Sequence, residues 1–201
     1  MIFKNILYAL GLVATVVASP VRAEDSKMAT AILAGGCFWC VQTDMEELSG
    51  VSKVVSGYSG GTIPNPTYEN YHDQIDGYEP HVEVVEVTYD PAKISYDKLL
   101  DYYFRHIDPT DGGGQFCDRG PAYRPVIYYA NDAEKAAAEA KKAEVARVLG
   151  AAVEVDVLPA RTFWPAEDYH QDYHSKNPVR YKYYRWGCGR DQRVQQLWGG
   201  K

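Results

Sequence analysis

The order of apolar runs along the chain restricts its fold more than any other feature. Alternating or continuous apolar runs predict strands, and a period of three to four residues predicts helices. The predicted strands are 30–34, 51–58, 81–89, 125–129 and 153–157, and the predicted helices are 38–48, 95–106 and 131–150. These strands are too few, and too polar on one face, for a parallel sheet with helices on both sides. The order therefore predicts an α+β fold, a two-layer α/β sandwich with long loops over one end.

Two long stretches without clear periodicity connect these elements. Residues 59–78 are rich in Gly, Pro, Asn and Tyr, and residues 108–124 contain three consecutive glycines. Loops of this length in a compact domain usually carry function or are disordered. The tail from residue 161 onward is aromatic and polar, and we expect it to be mostly irregular, with a short helix at 191–197.

The first 23 residues have the features of a secretory signal peptide. A short start that carries Lys4 precedes an apolar run, and Val21-Arg22-Ala23 has the form of a cleavage site. The apolar run is too short to span a bilayer comfortably, although an uncleaved anchor is the alternative. We predict a signal peptide at 1–23, a single domain at 24–201, and export across the inner membrane to an oxidising compartment such as the periplasm.

Charge limits the partners of the exported domain. Removal of residues 1–23 leaves 19 basic and 27 acidic residues, a net charge of −8. An acidic surface disfavours nucleic acid and anionic membranes. We therefore expect no nucleic-acid partner and no stable membrane association after signal cleavage, whereas the oligomeric state stays open.

A thiol at the start of the first predicted helix is the strongest chemical signal. Gly35 and Gly36 end the first strand, and Cys37 begins the helix. Free backbone N–H groups and the positive end of the helix dipole stabilise an anion at this point. We expect these groups to lower the pKa of Cys37 and to give a nucleophilic thiolate. The alternative is a buried structural cysteine.

The other three cysteines leave several arrangements open. Cys40 lies on the same helix face as Cys37, so it can pair with Cys37 or serve as a small buried residue. With Cys117 and Cys188, four cysteines allow three pairings, and the sequence does not choose among them. A non-catalytic exported domain with two structural disulfides is therefore one reading of this chain.

A carboxyl group and two phenols are candidate partners for the thiol. Glu83 shares its strand face with Val85 and Val87, and apolar surroundings would keep it protonated as a general acid. Equally, Glu83 can face solvent at the start of the strand. Tyr68 and Tyr123 lie in the two long loops, and a phenol can donate a hydrogen bond to a polar substrate oxygen.

A metal site is a weaker possibility. His170 and His174 have the spacing of metal ligands and could combine with Cys37 and Cys40 to bind zinc. The two pairs are about 130 residues apart, unlike the ligands of a compact zinc module. We therefore expect no metal.

Several motifs resemble the A-type peptide methionine sulfoxide reductases in order and spacing. They are Gly-Cys-Phe-Trp-Cys at 36–40, Gly-Tyr-Ser-Gly-Gly at 57–61, Asn-Pro-Thr-Tyr at 65–68, His-Val-Glu-Val at 81–84, Tyr-Asp-Pro at 89–91, Gly-Gln-Phe at 114–116 with Asp118 and Tyr123-Arg124, and Ala-Glu-Asp-Tyr-His-Gln at 166–171. The resemblance runs from about residue 30 to residue 178. It implies a ferredoxin-like core with added loops.

The resemblance also implies a reaction. Cys37 would attack the sulfur of methionine-S-sulfoxide, free or in a protein, and Glu83 would supply a proton to the leaving oxygen. Cys37 would become a sulfenic acid, which a second thiol converts to a disulfide. No bound cofactor is implied, and a thioredoxin-like dithiol would restore the thiols. The implied binding residues are Tyr68, Tyr123 and Asp118 for the oxygen and Phe38 and Trp39 for the S-methyl group.

Two departures from the common family pattern concern the resolving thiol. Cys40 stands where many relatives have Gly, and Cys188 lies in a tail that differs from their Gly-rich tail. We expect Cys188 to resolve from a mobile loop, with Cys40 second and the role of Cys117 open. The alternative function is a thioredoxin-like dithiol–disulfide oxidoreductase that uses Cys37 and Cys40.

Overall fold

A six-stranded sheet forms the centre of the protein. The computed structural model describes residues 27–199. The sheet strands are β1 (Ala29–Ala34), β2 (Val51–Ser59), β3 (Val82–Tyr89), β6 (Val126–Tyr129), β7 (Asp156–Pro159) and β8 (Trp164–Pro165), and β4 (Gly114–Gln115) pairs with β5 (Asp118–Arg119) in a separate hairpin. The strand order is β7-β6-β1-β3-β2-β8, and every neighbouring pair is antiparallel except β6 and β7.

The helices pack mainly against one face of this sheet. They are α1 (Phe38–Glu46), α2 (Tyr96–Phe104), α3 (Asp132–Leu149), α4 (Tyr173–Lys176), α5 (Pro178–Gly187) and α6 (Arg190–Trp198). Leu33 of β1 and Val85 of β3 share one buried cluster with Leu100 of α2 and Ala138 of α3. A smaller cluster, which includes Val84 and Val126, lies on the opposite face. The mixed α+β architecture of the prediction is confirmed.

Strand β3 shows how the alternation of side chains positions a polar group. Val85 and Val87 point to the cluster that contains the helices, whereas Val82 and Val84 belong to the cluster on the other face. Since successive side chains alternate between faces, Glu83 lies on the helix side. It is only 2% exposed. The alternative of solvent exposure at the strand start is therefore wrong, and the apolar row holds a buried carboxyl group, as the main prediction required.

The C-terminal part differs most from its prediction. The stretch expected to be irregular contains α4 and α5, and Pro178 supplies the preset backbone angle that starts α5. Helix α6 confirms the short helix predicted at 191–197. The predicted strand 153–157 is displaced, because Val153 and Val155 are buried without lying in a strand. The alternation of Val with acidic residues in that segment therefore marks buried and exposed side chains. The hydrogen-bonded pairing of β7 with β6 begins only at Asp156.

The remaining sequence predictions concern the two long loops, which the structure confirms, and the N-terminal segment, which it does not describe. Residues 60–81 are irregular, and residues 108–124 hold only the β4–β5 hairpin and one turn of 3-10 helix. The predicted signal peptide, 1–23, lies outside the described residues. Between residues 27 and 199, no helix has both the length and the apolar character needed to cross a bilayer.

Candidate active site

Cys37 lies at the junction between β1 and α1. It is the N-cap residue of α1, and its carbonyl accepts hydrogen bonds from the N–H groups of Cys40 and Val41. The preceding Gly36 has φ of +84°, and a Cβ there would lie 2.6 Å from Cβ of Gln115. Only glycine fits this turn without strain. The Gly-Gly sequence therefore fixes the position of the thiol at the start of the helix, as predicted.

Glu83 approaches the same helix start from strand β3. Its Oε2 accepts a 2.8 Å hydrogen bond from the backbone N–H of Phe38, and its Oε1 accepts a 3.0 Å bond from the Tyr71 hydroxyl. Burial raises the pKa of Glu83 to about 8, despite these two hydrogen bonds, which act in the opposite direction. The carboxyl group is thus protonated at neutral pH, as a general acid requires.

The pKa of Cys37 contradicts the sequence prediction. Burial raises it well above its usual value, and the Cys40 thiol and the Glu83 carboxyl act in the same direction. The cysteine is only 7% exposed. The helix dipole was expected to dominate, but removal of the sulfur from water has the larger effect. Cys37 therefore rests as a thiol, and its proton must leave before the sulfur can attack.

A small cavity of about 70 Å³ joins the thiol to the acid. Its lining residues are Cys37, Phe38, Trp39, Tyr68, Glu83, Asp118, Tyr123 and Tyr184. The structure therefore brings together all seven residues predicted for attack, proton donation and substrate binding. It adds Tyr184 of α5, which the sequence did not indicate.

One wall of this cavity is aromatic and rigid. Phe38 is buried in the core. Trp39 stacks on Tyr173 at 3.7 Å between ring centroids, and its indole N–H donates to Nδ1 of His170 at 3.1 Å. His170 therefore orients Trp39, while Nε2 of His174 lies 3.5 Å from Oε2 of Glu46. Among residues 27–199, neither histidine belongs to a cluster of three or more possible metal ligands, so the zinc arrangement considered from the sequence is not assembled there.

The four cysteines form two pairs. Cys37 and Cys40 are free, buried and hydrogen-bonded to each other. Hydrogen bonding from Cys37 and the nearby Arg190 and Arg185 lower the pKa of Cys40. Cys117 and Cys188 form a disulfide with a Cα–Cα distance of 4.8 Å.

The surroundings of Cys188 differ from the loop that was predicted. Trp186 and Gly187 belong to the last turn of α5, and Cys188 is its C-cap. Together with Gly189, it connects α5 to α6. The resolving thiol proposed from the sequence is therefore held at a helix end by a disulfide.

Known proteins identify the class of enzyme. The family model described as peptide methionine sulfoxide reductase matches residues 29–201. The chain belongs to this family. The protein named MsrA 2 of Caulobacter vibrioides is 48% identical over 99% of this chain and 97% of its own length. The match assigns the chain to the A-type peptide methionine sulfoxide reductases, which decides against the thioredoxin-like alternative.

Solved structures share the fold of this reductase family. The reduced form of Mxr1 from Saccharomyces cerevisiae superimposes with a TM-score of 0.70 at 28% identity, over 79% of this chain and 91% of the yeast protein. A complex of Mxr1 with Trx2 matches with a TM-score of 0.52 at 22% identity, over 77% and 90%. The chain is an oxidoreductase that reduces methionine sulfoxide with thiols.

Sequence reasoning about this methionine sulfoxide reductase missed two tyrosines at the site. Tyr71 donates a hydrogen bond to Glu83. It lies in a loop with several tyrosines, so the sequence alone does not single it out as a site residue. Tyr184 comes from a helix that was predicted to be irregular. Pro178 was the one local signal, since proline is common in the first turn of a helix. A helix from this residue places Tyr181, Tyr184 and Arg185 on one side.

Proposed function

We propose that this reductase acts on the S epimer of methionine sulfoxide, with Cys37 as nucleophile and Glu83 as proton donor. The observation that carries the proposal is the hydrogen bond from the N–H of Phe38 to Glu83. It ties the acid to the residue that directly follows the nucleophile. A sulfoxide in the cavity would therefore meet the sulfur and the proton donor together.

The proposed substrate contacts divide between an apolar and a polar side. Phe38 and Trp39 give the S-methyl group an apolar surface. Tyr68 and Tyr123 can donate hydrogen bonds to the sulfoxide oxygen, and burial raises the pKa of both phenols, which keeps them protonated. Asp118 lies at the same cavity and orders its hydrogen bonds.

The proposed chemistry transfers one oxygen atom from the substrate to Cys37. The Cys37 thiolate attacks the sulfoxide sulfur, and Glu83 protonates the oxygen as the sulfur–oxygen bond weakens. Methionine leaves with two electrons gained, and Cys37 is oxidised to the sulfenic acid. A second thiol then forms a disulfide with Cys37 and releases the oxygen as water.

Two cysteines are candidates for this second thiol. The sequence favoured Cys188 and put Cys40 second, and that order stays a prediction. Geometry supports Cys40 for the first disulfide, because Cys40 already contacts Cys37 and is free. Cys188 would first have to be released from Cys117.

The electron donor and the compartment complete the proposal. An external thioredoxin-like dithiol would reduce the enzyme disulfide, with no bound cofactor. The complex between yeast Mxr1 and Trx2 supports a donor of this kind. Residues 1–23 support export to the periplasm, where oxidised proteins and free methionine sulfoxide would be substrates.

Mass spectrometry of a single turnover tests the proposal. The reduced protein is mixed with one equivalent of each epimer of a methyl sulfoxide, without reductant. We expect one equivalent of sulfide from the S epimer only, together with a new disulfide that contains Cys37. Cys37→Ser should produce none, and Glu83→Gln should be slowed strongly. Turnover in Cys37→Ser, or equal use of both epimers, would overturn the proposal.

A further inference from the structure

Tyr184 occupies a position at the active site that the reaction above does not use. It projects from α5 into the wall of the cavity, beside Cys37 and Asp118. Its ring meets the edge of Trp39 at 5.9 Å between centroids. Helix α5 thus contributes a third phenol to the pocket.

The Tyr184 hydroxyl joins the nucleophile to a carboxylate. It donates a 2.5 Å hydrogen bond to Oδ2 of Asp118. The same side chain lines the cavity beside Cys37, where its hydroxyl interacts with the sulfur and lowers the pKa of the thiol. A phenol has a single proton. While that proton points to Asp118, the phenol oxygen can accept the S–H of Cys37. The three groups therefore form a continuous hydrogen-bonded path from thiol to carboxylate.

We propose that Tyr184 is a further catalytic residue, which carries the proton of the Cys37 thiol to Asp118. The S–H bond of Cys37 breaks, Tyr184 takes that proton while it gives its own to Asp118, and no electrons are transferred. Tyr184 then donates its hydrogen bond to the new thiolate. This inference rests on the proposed function, in which Cys37 must become an anion before it attacks.

The surroundings of Asp118 suit the role of proton acceptor. Burial raises the pKa of Asp118, which makes it a stronger base than an exposed carboxylate. The titratable groups that face Cys37 are Cys40, Glu83, Tyr68, Tyr123, Asp118 and Tyr184, and Arg190 faces Asp118. Glu83 is already protonated, so Cys40 is the one competing acceptor in this set.

The second cysteine pair holds this path in place. Cys117 directly precedes Asp118, and the N–H of Cys188 bonds the carbonyl of Tyr184 at 2.9 Å, one turn along the helix. The Cys117–Cys188 disulfide therefore joins the same two segments that the Tyr184–Asp118 hydrogen bond joins. We assign it a positioning role, because its reduction would free the helix end that carries Tyr184.

The rate of Cys37 alkylation by iodoacetamide, measured against pH by mass spectrometry, tests this inference. Tyr184→Phe keeps the ring and removes the hydroxyl. The midpoint of the profile should rise by about one pH unit, with alkylation about tenfold slower below it, because a hydrogen bond to the thiolate is lost. Asp118→Asn should raise it similarly. Tyr183→Phe is the matched control, since Tyr183 is 75% exposed on the same helix, and its profile should equal that of the wild type.

Other outcomes would mean that the Cys37 proton does not pass through Tyr184 to Asp118. A Tyr184→Phe profile that superimposes on the wild type would overturn the inference, and a shift found only in Cys40→Ser would make Cys40 the acceptor. The double variant Cys117→Ala/Cys188→Ala should shift in the same direction as Tyr184→Phe, and an unchanged profile would refute the positioning role. Alkylation needs no sulfoxide turnover. Loss of the proposed function would therefore appear in the single-turnover assay, and failure of this inference would appear in the alkylation profile.

Discussion

Replacement of Glu83 by Gln should make the stability of the protein less dependent on pH. Burial raises the pKa of Glu83 from 4.5 to about 8, so the folded state keeps a proton that the unfolded chain releases above pH 4.5. The stability that this group contributes is full below pH 4.5 and is lost as the pH rises towards 8. At 1.36 kcal/mol per pH unit, the loss is about 3 kcal/mol at pH 7 and about 5 kcal/mol above pH 8.

The amide of Gln has the same size and does not ionise. It can still accept the hydrogen bond from the N–H of Phe38, so the fold around it should persist. The free energy of unfolding of Glu83→Gln minus that of the wild type should therefore grow by about 3 kcal/mol between pH 4.5 and pH 7. A constant offset caused by altered packing cancels in this comparison.

Urea unfolding at a series of pH values measures the effect. Glu86→Gln is the matched control, because Glu86 lies on the opposite face of the same strand and is partly exposed. Its pH dependence should parallel that of the wild type. If the curves of Glu83→Gln and the wild type also run parallel from pH 4.5 to pH 7, Glu83 is ionised in the folded protein and cannot be the proton donor.

Three further predictions follow from the site. The kcat/KM of the wild type should rise with pH and level off near pH 8, because a higher pH favours ionisation of Cys37 while Glu83 loses its proton above about 8, and a profile that keeps rising steeply through pH 8 would contradict that role of Glu83. Tyr123→Phe should lower kcat/KM by roughly 10- to 100-fold through the loss of a donor to the sulfoxide oxygen, and steady-state kinetics with unchanged rates would remove it from the mechanism. Gly36→Ala should destabilise the fold by about 2–4 kcal/mol in urea unfolding, because φ of +84° and the 2.6 Å approach to Gln115 both oppose a Cβ.

The predictable parts of the molecule are those that depend on local pattern. The Gly35-Gly36 break and the helical spacing after Cys37 gave the position of the thiol, and alternation in β3 gave the correct face for Glu83. Ser95 and Asn131, the first residues of two predicted helices, are the N-caps of α2 and α3, and each accepts a hydrogen bond from the backbone N–H three positions later. Each of these signals lies within a few residues of the feature that it determines.

The parts that could not be predicted depend on contacts between distant segments. Burial raises the pKa of Cys37, and one residue of the cavity that encloses it, Tyr184, is 147 positions away in the chain. The pairing of Cys117 with Cys188 spans 71 residues, and no local pattern specifies it. Helix α5 was missed because three of its four aromatic residues are tyrosines, whose hydroxyl groups make its apolar side hard to recognise from hydropathy.

The small volume of the cavity decides which oxidised methionines the enzyme can repair. Ligand pockets for drug-sized molecules enclose about 300–1,000 Å³, whereas this one encloses about 70 Å³. Only the tip of one side chain can enter, and the backbone of a damaged protein has to remain outside. The rate of repair should therefore depend on how far a methionine sulfoxide side chain projects from the protein that carries it, and only weakly on the neighbouring sequence. A sulfoxide in a packed interior would have to wait until its host opens.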